Sequence, residues 1–74
     1  MSEDVLERVY QENLEERIIA RIAQITGLSL LDAMDVYYRS RLSEEIYAGT
    51  EGVQYLDYKV LVDILRETEP NLFA

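Results

Sequence analysis

The sequence predicts an all-α fold: a small bundle of three to four helices, packed orthogonally or up-and-down. Three observations predict it. Apolar residues recur at steps of three and four over 3–26, 30–39 and 58–68. Ser, Asp, Gly and Pro stand at the ends of these segments, where helices start and stop. No stretch alternates for long enough to make a strand, since Val53-Gln54-Tyr55 is three residues without a pairing partner. The 74 residues form one helical domain over 1–74.

The first helix is expected over 3–26. Its apolar stripe is Leu6, Tyr10, Leu14, Ile18, Ile22 and Ile25, flanked by Val5, Val9, Ile19 and Ala23. At ~1.5 Å per residue it is about 36 Å long, which leaves room for a bend near Gln11-Glu12-Asn13. Gly27 supplies the left-handed stop.

The second helix is expected over 30–39. Ser29 is its N-cap and Asp32 takes the third position of a capping box. Leu30, Ala33, Met34, Tyr37 and Tyr38 are its apolar residues. Tyr37 and Tyr38 diverge by about 100°, so one can be buried while the other stays at the edge. A third helix is expected over 43–48, capped by Ser43, with continuation of the second helix past Ser40 as the alternative. Gly49-Thr50-Glu51-Gly52 reads as a turn. The last helix, over 58–68, has Asp57 as N-cap, Leu56 and Leu61 in staple positions, and an inward face of Leu61, Ile64 and Leu65, with Tyr58 and Val62 beside them. Pro70 ends it. Leu72 and Phe73, in the tail, either cover the core or reach a neighbour.

Composition narrows the function. A domain this small buries only about 60% of its unfolded surface, and so benefits from a staple or a partner. The chain has no Cys and no His, which removes disulfides, thiolates and the commonest zinc ligands. The net charge of -8, with acids outnumbering bases in each third of the chain, repels nucleic acid and anionic membrane. That charge either serves solubility alone or faces a basic partner. No segment approaches the length of a membrane span, and the acidic start Met1-Ser2-Glu3-Asp4 is unlike a secretory leader. A cytoplasmic location is the expectation.

Catalysis is hard to build without His or Cys. Two carboxylate pairs, Asp32 with Asp35 and Asp63 with Glu67, share helix faces and could in principle hold Mg²⁺ or share a proton. Solvated helix faces carry such pairs far more often. Arg39 and Arg41 beside Tyr37 and Tyr38 suggest an anion clamp, against the plainer reading of local ion pairs such as Asp35 with Arg39. Gly49 and Gly52 lack the strand-to-helix context of a phosphate cradle. No catalytic residue, cofactor site or metal site is assigned.

The six tyrosines, against one Phe and no Trp, are the more informative feature. Tyr suits both the rim of a thin core and a protein interface. The candidate partner-contact residues are Val5, Val9, Tyr10, Tyr38, Tyr47, Tyr55 and Phe73.

The segment Gly27-Leu28-Ser29-Leu30-Leu31-Asp32-Ala33-Met34-Asp35-Val36-Tyr37-Tyr38-Arg39-Ser40 resembles an element of a family of small bacterial helical proteins, classed as a domain of unknown function. The shared pattern is Gly-Leu-Ser, then Ala four residues on from the Ser, an aromatic residue four further and Ser three beyond. An acidic helix, a glycine turn and a final helix follow, matched in character by 42–48, 49–52 and 55–65. The likeness covers roughly 14–67 and consists of caps and core positions. Some members are thought to be encoded beside toxin-like partners, so the resemblance implies an antitoxin-like or adaptor role. It brings no catalytic residues; it makes Tyr37 or Tyr38 a packing position and Ser40 a helix-termination position.

The expected function is therefore a non-enzymatic protein–protein interaction module. The expected partner is another protein, either one with a basic surface or a second copy in a homodimer, and not nucleic acid or membrane. The alternatives are a DNA-binding regulator of helix-turn-helix type and a small enzyme or metal binder using carboxylates. Asp32 and Asp35 on the would-be recognition helix speak against DNA.

Overall fold

The computed structural model describes the backbone of residues 3–73 and the side chains of 8–49, 52–53 and 55–73. Among these residues there are four α-helices and no strand: α1 Glu3–Thr26, α2 Leu30–Arg39, α3 Arg41–Ala48 and α4 Tyr58–Thr68. The segments Thr50–Tyr55 and Pro70–Phe73 are short 3₁₀ helices. The body measures 41 × 22 × 18 Å. Helix α1 accounts for most of its length, and α2 and α4 pack chiefly against it.

The core sits along the C-terminal half of α1. Leu14, Ile18, Ile19 and Ile22 meet Ala33, Val36 and Tyr37 of α2, Leu42 and Ile46 of α3, and Leu61, Val62 and Leu65 of α4. The α1 stripe is thus covered from Leu14 onward, while Val9 and Tyr10 remain about half exposed. The side chains of Val5 and Leu6 lie outside the described residues.

Local chemistry fixes each boundary. The Gly27 N–H donates to the Ala23 carbonyl at 2.9 Å, with Gly27 at φ +77°, so α1 stops in a conformation that L side chains rarely adopt. The Thr26 hydroxyl donates to the Ile22 carbonyl and accepts from the Leu28 N–H at 3.1 Å, pinning the three-residue link. Ser29 caps α2 by accepting from the Asp32 N–H at 3.1 Å. Asp57 caps α4 by accepting from the Lys59 N–H at 2.7 Å.

Four expectations are corrected. The third helix starts at Arg41, because Ser40 rather than Ser43 is its cap: the buried Ser40 hydroxyl accepts from the Ser43 N–H at 3.3 Å. Ser40 also closes α2, its N–H and hydroxyl both donating to the Tyr37 carbonyl, so α2 does not continue into α3. On α4, Val62 takes the inward place assigned to Ile64. Val62 is one residue after Leu61 and three before Leu65, whereas Ile64 is turned away and 43% exposed. The turn at 49–52 runs into a 3₁₀ helix, with Gly49 and Gly52 both at positive φ. The tail also winds into a 3₁₀ turn, and Leu72 and Phe73 pack against the core.

Candidate functional site

Helix α2 has more apolar surface than its core contact can use. Ala33, Val36 and Tyr37 point inward, as steps of three and four require. Leu30, Met34 and Tyr38, each four residues from the next, form a second stripe on the adjoining face. These three are 61%, 38% and 58% exposed. They form one side of a groove of about 510 Å³, whose other side is α1, through Ile19, Ala20, Glu12, Glu15 and Glu16. Ile19 is nearly buried and belongs to the core cluster, so the groove is floored by the core itself.

A second groove of about 300 Å³ adjoins the first, sharing Glu15 and Tyr38 and adding Ser43, Glu44 and Tyr47. Tyr47, on α3, is 86% exposed. The two grooves together expose Leu30, Met34, Tyr38 and Tyr47 with four carboxylates and no basic side chain in their lining. Among the described residues the single ion pair is Arg39 with Asp35, at 3.4 Å on the surface, so none of these four carboxylates is neutralised by a partner.

The site has a firm base. Tyr38 packs edge-on against Tyr37, with ring centroids 5.1 Å apart and planes at 69°. Tyr37 is wholly buried, and its Oη has no hydrogen-bond partner among the described residues although the Glu15 carboxylate lies beside it. Burial pushes the Tyr37 phenol far above its ordinary range, and the negative charge of Glu15 acts in the same direction. Tyr37 is therefore neutral in ordinary buffers and serves as an anchor for the ring above it.

The structure sorts the residues singled out from sequence into separate places. Tyr38 and Tyr47 meet along the joined grooves. Tyr10 and Tyr55 meet elsewhere, with centroids 5.9 Å apart, and both keep substantial exposure, as does Val9. Gln11 donates to the Ile46 carbonyl at 3.0 Å, tying this part of α1 to α3. Phe73 packs against the core and is half-buried, which removes it from the most exposed surface. Val5 lies outside the residues whose side chains are described. Leu30 and Met34 are absent from the partner-contact residues chosen from sequence, where they count only as apolar residues of the second helix. The signal lay in the count: seven of the ten residues of α2 are apolar, too many for one narrow face.

The chemical alternatives find less. Asp32, Asp35, Asp63 and Glu67 are all exposed, and Asp35 is engaged by Arg39. No group of three metal-ligating side chains occurs among the described residues. The Arg41 N–H, at the start of α3, donates to Glu69 Oε2 at 3.0 Å, so this chain's own carboxylate already occupies it. No helix in the described residues is long and apolar enough to cross a membrane. Compared with known proteins, the chain matches no family model, no curated protein and no solved structure.

Proposed function

We propose that this chain is a non-enzymatic protein-interaction module that binds through the joined grooves of α1, α2 and α3. The observation that carries the reading is the exposed row Leu30, Met34, Tyr38 and Tyr47 lying over the core. Water in contact with such a row is released on binding, and aromatic and Met side chains are well suited to partner contact. The antitoxin-like or adaptor role belongs to this proposal through the resemblance of 27–40 to small bacterial proteins, and so does a cytoplasmic setting. A DNA-reading role is disfavoured: the outward side of α2 offers Asp32, Asp35 and apolar side chains, and its one basic residue, Arg39, is paired with Asp35, where a groove-reading helix needs amide or free basic side chains.

The test is site-specific photocrosslinking in the native cells. A photoreactive side chain at Tyr38 or Tyr47 is expected to give one discrete protein adduct, and the same group at Glu67 on α4 none. Equal labelling from all three positions, or none from any, overturns the reading.

A homodimer is the second reading, favoured by the exposed cluster of Val9, Tyr10 and Tyr55. Sedimentation equilibrium of the wild type and Tyr10→Glu decides it. A concentration-dependent dimer weakened by the substitution supports it, and a strict monomer removes it.

A further inference from the structure

We propose that the α1/α2 groove receives an amphipathic helix of a partner protein, one whose apolar stripe is bordered by Lys and Arg. This rests on the protein-binding reading above and names the kind of partner.

The shape of the groove favours a helix. Leu30, Met34 and Tyr38 are spaced by one four-residue step each, about 6 Å along the α2 axis. A helix laid alongside presents its own apolar side chains at i, i+4 and i+7 with nearly the same repeat, so knobs from one can enter between those of the other. An extended peptide lacks that match. It also lacks a sheet edge to extend, since the described residues contain no strand. Met34 at the centre of the row adapts its thioether to the side chain it meets.

Charge selects the partner's flank. Glu12, Glu15 and Glu16 stand along the α1 side of the groove, and Glu44 stands where the adjoining groove continues past Tyr38. None is paired among the described residues, no base lines either groove, and the whole chain carries -8. Glu15 is half-buried, so its charge is less screened than one in open water. An acidic or phosphate-bearing occupant meets repulsion along the α1 side. A second copy of this chain brings the same net negative charge. A basic flank gains four unpaired carboxylates and speeds its own approach.

The probe is a displayed library of helix-forming peptides with an apolar stripe and randomised flanks, selected on the full chain at low salt. Enriched peptides are expected to carry Lys or Arg beside the stripe, and to crosslink to a photoreactive group at Met34. Their binding is expected to weaken about tenfold when Glu12, Glu15 and Glu16 are together changed to Gln; binding to the unaltered chain is expected to weaken as salt is raised, and binding to the triple variant to respond less. Because Glu15 is half-buried, circular dichroism and a thermal melt check that the triple variant keeps its fold, and Glu12 and Glu16 changed without Glu15 are expected to give a smaller loss in the same direction. Met34→Glu, a change within the apolar row, is expected to abolish binding. Winners with neutral or acidic flanks, winners indifferent to the triple Gln variant, or the absence of any winner overturn the proposal. Winners that crosslink at Tyr10 instead of Met34 also overturn it, while leaving the broader protein-binding reading in place. A dimer that buries Met34 at the concentrations used assigns the groove to a second copy, and overturns it as well. The adducts formed in native cells at Tyr38 and Tyr47 judge the broader reading independently.

Discussion

Ser40 joins two helices with one side chain. Its hydroxyl donates to the carbonyl that ends α2 and accepts from an N–H that starts α3, and the residue is buried. Loss of the hydroxyl leaves both backbone groups without that partner, away from ready replacement by water. Ser40→Ala is therefore expected to cost about 2 kcal/mol in a denaturant titration, against ~1 kcal/mol for Ser29→Ala, whose cap is exposed. Equal losses, or none at Ser40, contradict the double role. Tyr37 presents the opposite case. Its buried hydroxyl has no hydrogen-bond partner among the described residues, so Tyr37→Phe is expected to leave stability unchanged or raise it by up to ~1 kcal/mol. A clear loss shows instead that the hydroxyl bonds to Glu15. The same burial sets the pH response. The folded phenol holds its proton above the ordinary value of 10.0, so the unfolded chain loses that proton first. The contribution of Tyr37 is complete below pH 10 and declines as pH rises above it. Stability measured on that alkaline limb is expected to fall less steeply in Tyr37→Phe, and parallel limbs contradict the assignment.

At the scale of elements, α4 shows how far neighbouring apolar residues differ. Leu65 is almost wholly buried, and Ile64 beside it faces outward. Leu65→Ala is expected to cost about 2–5 kcal/mol and Ile64→Ala less than ~1 kcal/mol, both read from denaturant midpoints. A similar cost at both positions contradicts the phase of α4. This phase is also where sequence reasoning stopped short. Caps and stops act through neighbours in the chain, so Ser29, Gly27 and Asp57 could be read from residue type and place. The bounds of α1, α2 and α4 follow from them. Which of two adjacent apolar residues turns inward depends on where another helix lies, and that is tertiary information. The sequence reads Ile64 as inward with Val62 beside it for this reason, and it does not separate the inward from the outward apolar residues of α2. Ser40 was read as a termination position, but its service to α3 needs the kink between α2 and α3 to be known. The candidate site was legible in part. Tyr38 and Tyr47 were chosen as surplus aromatic residues, whereas the α1 glutamates that border them are joined to them only by the packing of α1 on α2.

The described residues form a long helix with three short α-helices gathered along it from about Gln11 onward. A core this small leaves little apolar surface spare, yet the chain exposes Leu30, Met34, Tyr38 and Tyr47 in a continuous row. Stability alone is served better by polar residues at such positions. The row is explained if a partner covers it, and the unpaired glutamates beside it give that partner a sign. The most direct measurement is native mass spectrometry of the chain gently extracted from its own cells at its natural level, wild type against Met34→Glu. The account predicts a heteromeric complex heavier than the 8.6 kDa chain for the wild type, and the free 8.6 kDa chain, still folded, for the variant. A free wild-type chain, or a complex of the same mass and abundance in both, contradicts it.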